Sequence, residues 1–307
     1  MDDVDDVVAR AVAVLRAGGV IAIPTETVYG LAADVANPAA VARVYAIKGR
    51  PADHPLIVHA HALDALAGYV AQTTAPLRAL AAHFWPGPLT AIVRRGERTP
   101  LAVTGGQETV AVRVPDHPLT AAILAAFGGA VVAPSANRFG RISPTTAQHV
   151  RDDLGDTVDA IVDGGAARVG VESTIVDLTG TVPAILRAGA IGAAALGDAL
   201  GRPVVTRVGG DVRAPGTLAS HYAPRARLVL VAGDARERAA EHRAASGERV
   251  ALLTLPRDAA SAARALYATL RGLDAAGYDT IVATLPPDTE ENAAVRDRLS
   301  RAAAPRS

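Results

Sequence analysis

Cysteine is absent from the 307 residues, which removes disulfides, thiolate metal sites and thiol nucleophiles together. Aromatic residues are scarce, six Tyr, three Phe and one Trp, so cores have to be filled by Ala, Val, Leu and Ile. No apolar run approaches the roughly 18 residues of a membrane helix, and the opening MDDVDDVV is acidic where a secretory or transit signal is basic. A cytoplasmic protein without a membrane partner is expected. Net charge is zero at pH 7, which leaves no global field to attract nucleic acid or membrane. Gly-Lys-Ser/Thr, GxGxxG, GxSxG and HExxH are also missing, so any ATP site lies outside the common patterns.

Lysine is nearly absent too: of 31 basic residues, 30 are arginine and one is Lys48. A single lysine fits the codon bias of a GC-rich genome. It equally fits a tight pocket that needs a compact point charge on a phosphate or carboxylate, where the planar arginine fork would not fit. Upstream, Asn37 can cap a helix, Pro38 suits its first position, and Val41, Val44, Tyr45 and Ile47 recur at helical spacing. Gly49 ends that helix and Pro51 restricts Arg50, which predicts Lys48 and Arg50 two apart on extended or turning backbone, sharing a face. Such a pair is either an anion site or a solvated helix end.

Several apolar runs read as buried strands broken by polar residues. Val20 to Ile23 runs into Pro24-Thr25-Glu26-Thr27, a place where open α/β sheets hold ligands, though an ordinary hydrogen-bonded turn has the same composition. Pro55 to His59 is a strand, and His59-Ala60-His61 has a metal-like spacing without a third ligand nearby. Leu89 to Val93 and Thr109 to Pro115 follow; in the latter Thr109, Ala111 and Arg113 share one face, and Arg113 either reaches an anion or meets water. Gly129 to Ala133 breaks at Pro134-Ser135-Ala136-Asn137, and the loop runs on to Ser143. Small hydroxyls and amides there can hold phosphate oxygens, while Ser143 can also cap the next helix.

Helices are predicted over 4–17, 62–68 and 75–84, with Trp85 in a hinge beneath the pocket. Gly164-Gly165 and Gly170 lead into Glu172 and Ser173 before a strand at 175–178, and Arg187 ends another at 184–189. No periodic element is evident from Arg202 to Pro224, so this stretch is a linker or a lid. Beyond it, strands and amphipathic helices alternate, which implies a small parallel sheet covered by helices.

PTETVYGLAADV and KGRPADHPLIVH resemble the signature of the YrdC-like family, and the chain is similar to its two-domain threonylcarbamoyl-AMP synthases. The likeness is dense from about Val20 to Gly189, returns at Ala214 to Pro224 and is weak afterwards. It implies an α/β fold: a YrdC-like twisted mixed sheet with helices around a concave site, plus a smaller C-terminal parallel, Rossmann-like α/β domain. The corresponding divisions are a catalytic domain at 1–201, an interdomain linker or lid at 202–225 and a small domain at 226–307. The implied reaction condenses L-threonine, bicarbonate or CO2 and ATP, with Mg²⁺, into threonylcarbamoyl-AMP and pyrophosphate. The product feeds tRNA modification, with tRNA or downstream tRNA-modification proteins as candidate partners.

The same resemblance gives roles to Lys48 and Arg50 at the phosphates and carbamate, and to Thr25, His59, Arg113, Ala133 and Ser173 at threonine. It puts Lys48, Thr109, Ser135, Asn137, Ser143, Arg187 and Tyr222 at ATP. Phe139 departs from the family, where a small residue is usual, and the C-terminal domain is short for it. Two other readings compete. One is a double-stranded RNA or tRNA binding module of the same fold, which zero net charge and few aromatics disfavour. The other is the carbamoyl-transfer domain of hydrogenase maturation proteins, which belong to larger chains with zinc-finger cysteines.

Overall fold

Helix ends fall where short polar side chains and glycines put them. In the computed structural model, which describes residues 3–207, 209–210 and 212–305, Asp3 caps the helix Val4–Arg16, whose first turn carries Asp5 and Asp6. Asn37 accepts from the Ala39 and Ala40 N–H groups at the start of Pro38–Lys48, and Gly49 ends it in the left-handed conformation with φ 62°. Lys48 is therefore the last helical residue, not part of an extended run. The N–H groups of Gly49 and Arg50 close back on the Ala46 and Tyr45 carbonyls, so the direction of the lysine is set by the helix. At 62–68 only a single 3₁₀ turn forms, Asp64–Leu66, because Ala67 is already extended and Gly68 left-handed.

Ten strands among the described residues make one mixed sheet. Their spatial order is Val205–Thr206, Ala184–Arg187, Thr174–Asp177, Leu89–Arg94, Thr109–Arg113, Ile57–His59, Val131–Val132, Gly30–Asp34, Ile21–Ile23, Ala160–Ile161. Both faces are covered, so the run at 20–23 is apolar throughout: Val20 and Ala22 enter one core, Ile21 and Ile23 the other. Gly30–Asp34 pairs antiparallel with Ile21–Ile23 across the polar turn at 24–29. The strand Val205–Thr206 pairs with Ala184 and Ile185, so the stretch after Arg202 is not structureless; the sheet's edge extends into it.

Register decides which side chains meet. His59 lies opposite Arg113 and Ile57 opposite Ala111 in a parallel pair, and His59 also faces Val131 in an antiparallel one. The tips of these strands open on the side where the loops at 24–29 and 134–143 emerge.

The C-terminal region forms a three-stranded parallel sheet in the order Arg227–Leu230, Thr280–Ala283, Val250–Leu252. Its helices are Ala235–Ser246, Ala259–Ala275 and Ala293–Ala303. This unit does not stand apart. Leu266, Tyr267 and Val295 share a buried cluster with Val28, Ile142, Val171 and Tyr222 from the loops of the large sheet.

Candidate active site

At the strand tips lies a partly open cavity of about 50 Å³, room for a few waters, lined by Arg50, His59, Arg113, Ala133, Ser135, Glu172, Arg187 and Tyr222 among others. Arg50 donates through Nη2 to the Pro55 carbonyl at 2.9 Å, and its guanidinium lies 5.6 Å from the Phe139 ring centre. Phe139, the residue that departs from the family pattern, thus packs a cation into the wall. Arg187 holds the Ser173 carbonyl through Nε and Nη2 and the Pro215 carbonyl through Nη1.

Lys48 is 2 % exposed and points inward, its Nζ donating to the carbonyls of Ser135 at 2.5 Å and Asn137 at 2.8 Å. Burial, reinforced by the charge of Arg50, pushes its pKa well below the usual lysine range. An anion at this point would reverse that penalty. Asn137 donates its amide to the Arg138 and Arg141 carbonyls, which stiffens the loop that the ammonium holds.

Arg113 donates from Nη2 to Glu26 Oε1 at 2.7 Å and to the Thr27 hydroxyl at 2.9 Å. Thr25 lies one bond behind, its hydroxyl 2.9 Å from Thr27 Oγ1 and donating to the Val28 carbonyl at 2.6 Å. The motif's turn therefore serves both as a hydrogen-bonded turn and as an arginine holder. His59 Nδ1 donates to the Ile57 carbonyl at 3.1 Å, which leaves Nε2 as an acceptor. Burial and the neighbouring Arg113 lower its pKa to about 3, so the ring is neutral near pH 7.

Ser173 and Ser143 also sit one bond behind the wall. The Ser173 hydroxyl pairs with Thr90 Oγ1 at 2.8 Å and accepts from Arg187. Ser143 does not cap the following helix; Thr146 does, by accepting from His149 N–H. The Ser143 hydroxyl instead donates to Glu172 Oε1 at 2.5 Å. Thr109 stands away from the cavity. It occupies the far end of the face it shares with Ala111 and Arg113, roughly 13 Å from Arg113 at about 3.3 Å per residue, and Ala111 belongs to a buried cluster with Ala214.

A strap from Ala214 to Tyr222 closes the site. His221 and Tyr222 line the cavity together with Pro215 and Gly216. Tyr222 is held at φ 63°, an uncommon conformation for a non-glycine residue, with its N–H donating to His221 Nδ1 at 3.0 Å. A Cβ on Gly216 would lie 2.1 Å from the Tyr222 hydroxyl, so this close passage requires glycine. Sequence reasoning missed Thr27, Glu172 and His221 as wall residues and Arg298 and Tyr267 behind Glu172. Glu172 beside Ser173 was the available signal; the two from the C-terminal region carry none.

Residues 13–189 match the family described as "Telomere recombination", the Sua5, YciO and YrdC group, and residues 189–304 match "Threonylcarbamoyl-AMP synthase, C-terminal domain". A threonylcarbamoyl-AMP synthase of Bacillus subtilis is 37% identical over 97% of this chain and 93% of its own length. One from Pyrococcus abyssi is 36% identical over 94% of this chain and 91% of its own. The crystal structure of P. abyssi Sua5 complexed with L-threonine superposes with a TM-score of 0.92 at 34% identity, covering 99% of this chain and 95% of that one. With both domain models matched and the whole chain superposed, the chain belongs to the Sua5/YrdC family in its two-domain form.

Proposed function

We propose that this protein condenses L-threonine, bicarbonate or CO2 and ATP into threonylcarbamoyl-AMP, releasing pyrophosphate. The observation that carries the reading is the convergence of Arg50, Arg113 and Arg187, all buried, on one cavity, with the buried Lys48 one bond behind its wall through the Ser135 carbonyl. Arg113 already has a carboxylate partner in Glu26, but Lys48, Arg50 and Arg187 have none within salt-bridge distance among the described residues, and buried cations are costly unless opposite charge repays them. Threonine supplies a carboxylate, and ATP a triphosphate. The names of the relatives, and the threonine bound in P. abyssi Sua5, support the same assignment.

In this reading the carboxylate of threonine pairs with Arg113, beside Ala133 and Ser173, and its amine donates to the neutral His59 Nε2. Once the ammonium group has given a proton to solvent, the amine nitrogen bonds to the carbon of CO2, to which bicarbonate is first dehydrated, and a second proton leaves to water, giving a carbamate. A carbamate oxygen then attacks the α-phosphorus in line, the bond to the bridging oxygen breaks, and pyrophosphate leaves. Charge builds on phosphate oxygens, where Lys48, Arg50 and Arg187 stabilise it without any covalent nucleophile. Mg²⁺ enters as part of the substrate, on the phosphates. Glu26 and Glu172 are committed to Arg113 and Arg298, and no group of three or more His, Asp or Glu converges among the described residues.

A cavity of about 50 Å³ cannot hold ATP, so the strap has to lift for entry. Residues 1–201 then carry the chemistry, 202–225 close it and 226–307 buttress it. We place the reaction in the cytoplasm, with tRNA or the proteins that modify it as the next user of the adenylate. The test is pyrophosphate release from ATP that depends on both threonine and bicarbonate; release without that dependence would refute the assignment.

A further inference from the structure

Glu172 is a carboxylate on the wall of a cavity that also presents Arg50, Arg113 and Arg187. Left charged and unpaired, it would repel a triphosphate. Its Oε2 accepts from Arg298 Nε at 2.7 Å and from the Tyr267 hydroxyl at 2.9 Å, while Oε1 accepts from Ser143. Arg298 and Tyr267 belong to the helices Ala293–Ala303 and Ala259–Ala275 of the C-terminal unit. Burial alone would raise the Glu172 pKa, yet the charges of Arg298 and Arg187 and the Ser143 bond hold it at about 2.

The arginine is an unusual choice for that place. It is 1 % exposed, its Nη2 is buried with no hydrogen-bond partner among the described residues, and its guanidinium lies 5.0 Å from the Tyr222 ring centre. A well-packed apolar pair would stabilise a domain contact at least as well as a buried ion pair. Other contacts already hold the interface: Arg271 clamps Asp153 and the Ile142 carbonyl, and Gly170 lets the helix pass so close that a Cβ would lie 2.5 Å from Arg264 Cα. Docking therefore does not explain the charge at Arg298.

We propose that Arg298 is a positioning residue for the nucleotide: from the C-terminal unit it neutralises Glu172 beside the seat of the triphosphate and, through that carboxylate, fixes the Ser143 hydroxyl. The inference rests on the ATP-dependent reading above. It makes the C-terminal unit part of the active-site wall.

The test measures ATP binding to the full chain by calorimetry, without threonine or bicarbonate, beside steady-state kinetics. Arg298→Met is expected to weaken ATP binding by about tenfold or more, as for other buried charges left unpaired, with the KM for threonine unchanged. Arg298→Lys keeps the charge and most of the affinity. The double variant Glu172→Gln with Arg298→Met removes both charges and recovers affinity relative to Arg298→Met alone. Unchanged ATP affinity in a folded Arg298→Met protein overturns the proposal, as does an equal loss for threonine and ATP or a double variant weaker than the single. If Arg298→Met does not fold, Glu172→Gln decides: severalfold tighter ATP binding supports the proposal, and weaker binding refutes it. A wild-type protein that binds ATP yet releases no pyrophosphate with threonine and bicarbonate would sink the synthase assignment and leave this one standing.

Discussion

Two ion pairs, one in each unit of the chain, sit at opposite extremes of burial. On the C-terminal unit, ion pairs such as Arg238 with Glu241, 56 % and 54 % exposed, lie in water. At the tips of the large sheet, Arg113 and Glu26 are 5 % and 2 % exposed. Exposed pairs are worth at most about 1 kcal/mol, whereas each buried charge costs several kcal/mol of hydration before its partner repays it. A chain that buries Lys48, Arg50, Arg113 and Arg187 together accepts that cost where a ligand collects it. Arg298, in the C-terminal unit, is as buried as the site's cations and pairs across the interface with Glu172 as well as with Asp297 of its own helix.

Four variants probe that contrast. Arg113→Leu should have the largest effect, because it strands Glu26 without a cation and breaks a buried pair worth about 3–5 kcal/mol on removal of one partner; denaturant melts read it directly. Lys48→Arg should stay folded and lose about 100-fold in adenylate formation, since the fork cannot sit between the Ser135 and Asn137 carbonyls as a point charge does. Pyrophosphate release at saturating substrates checks it, and wild-type turnover would detach this residue from the site.

The buried histidines give a smaller, pH-dependent effect. Burial, with a minor net contribution from neighbouring charges, lowers His221 to about 3, as it lowers His59. Between there and the ordinary value near 6.5, the unfolded chain takes up a proton that the folded chain refuses, so stability falls as pH drops. Glu172, held near 2, adds to the loss in the same direction once pH falls below its unfolded value. His59→Gln should lose about 2 kcal/mol less stability than wild type between pH 7 and pH 5. Smallest of all, Arg238→Ala should leave the melting midpoint unchanged, because both side chains of its pair are in water.

Much of the site was legible because its residues lie in short runs. Thr25 to Thr27, Lys48 to Arg50 and Pro134 to Asn137 each follow an element whose end is marked by proline, glycine or abrupt polarity. Arg187 was less so: a cation after Ala184-Ile185-Leu186 reads as a surface residue until its bonds to Ser173 and Pro215 are seen. The strand Val205–Thr206 escaped because two residues are too few to show a period, and its pairing with Ala184 and Ile185 is not local. Ser143 was open between capping a helix and serving the site, and only the position of Glu172 decided it.

By itself the sequence determined several of the helices, the cap at Asn37, most of the apolar strands and the identity of the polar tips, since propensity, capping and burial patterns are local properties of the chain. Tertiary structure alone decided that Arg298 and Tyr267, over ninety residues beyond Glu172, complete its wall. Nothing in the spacing of a helix says which buried carboxylate its arginine will meet, because that partner is chosen when two separately folded surfaces close on each other.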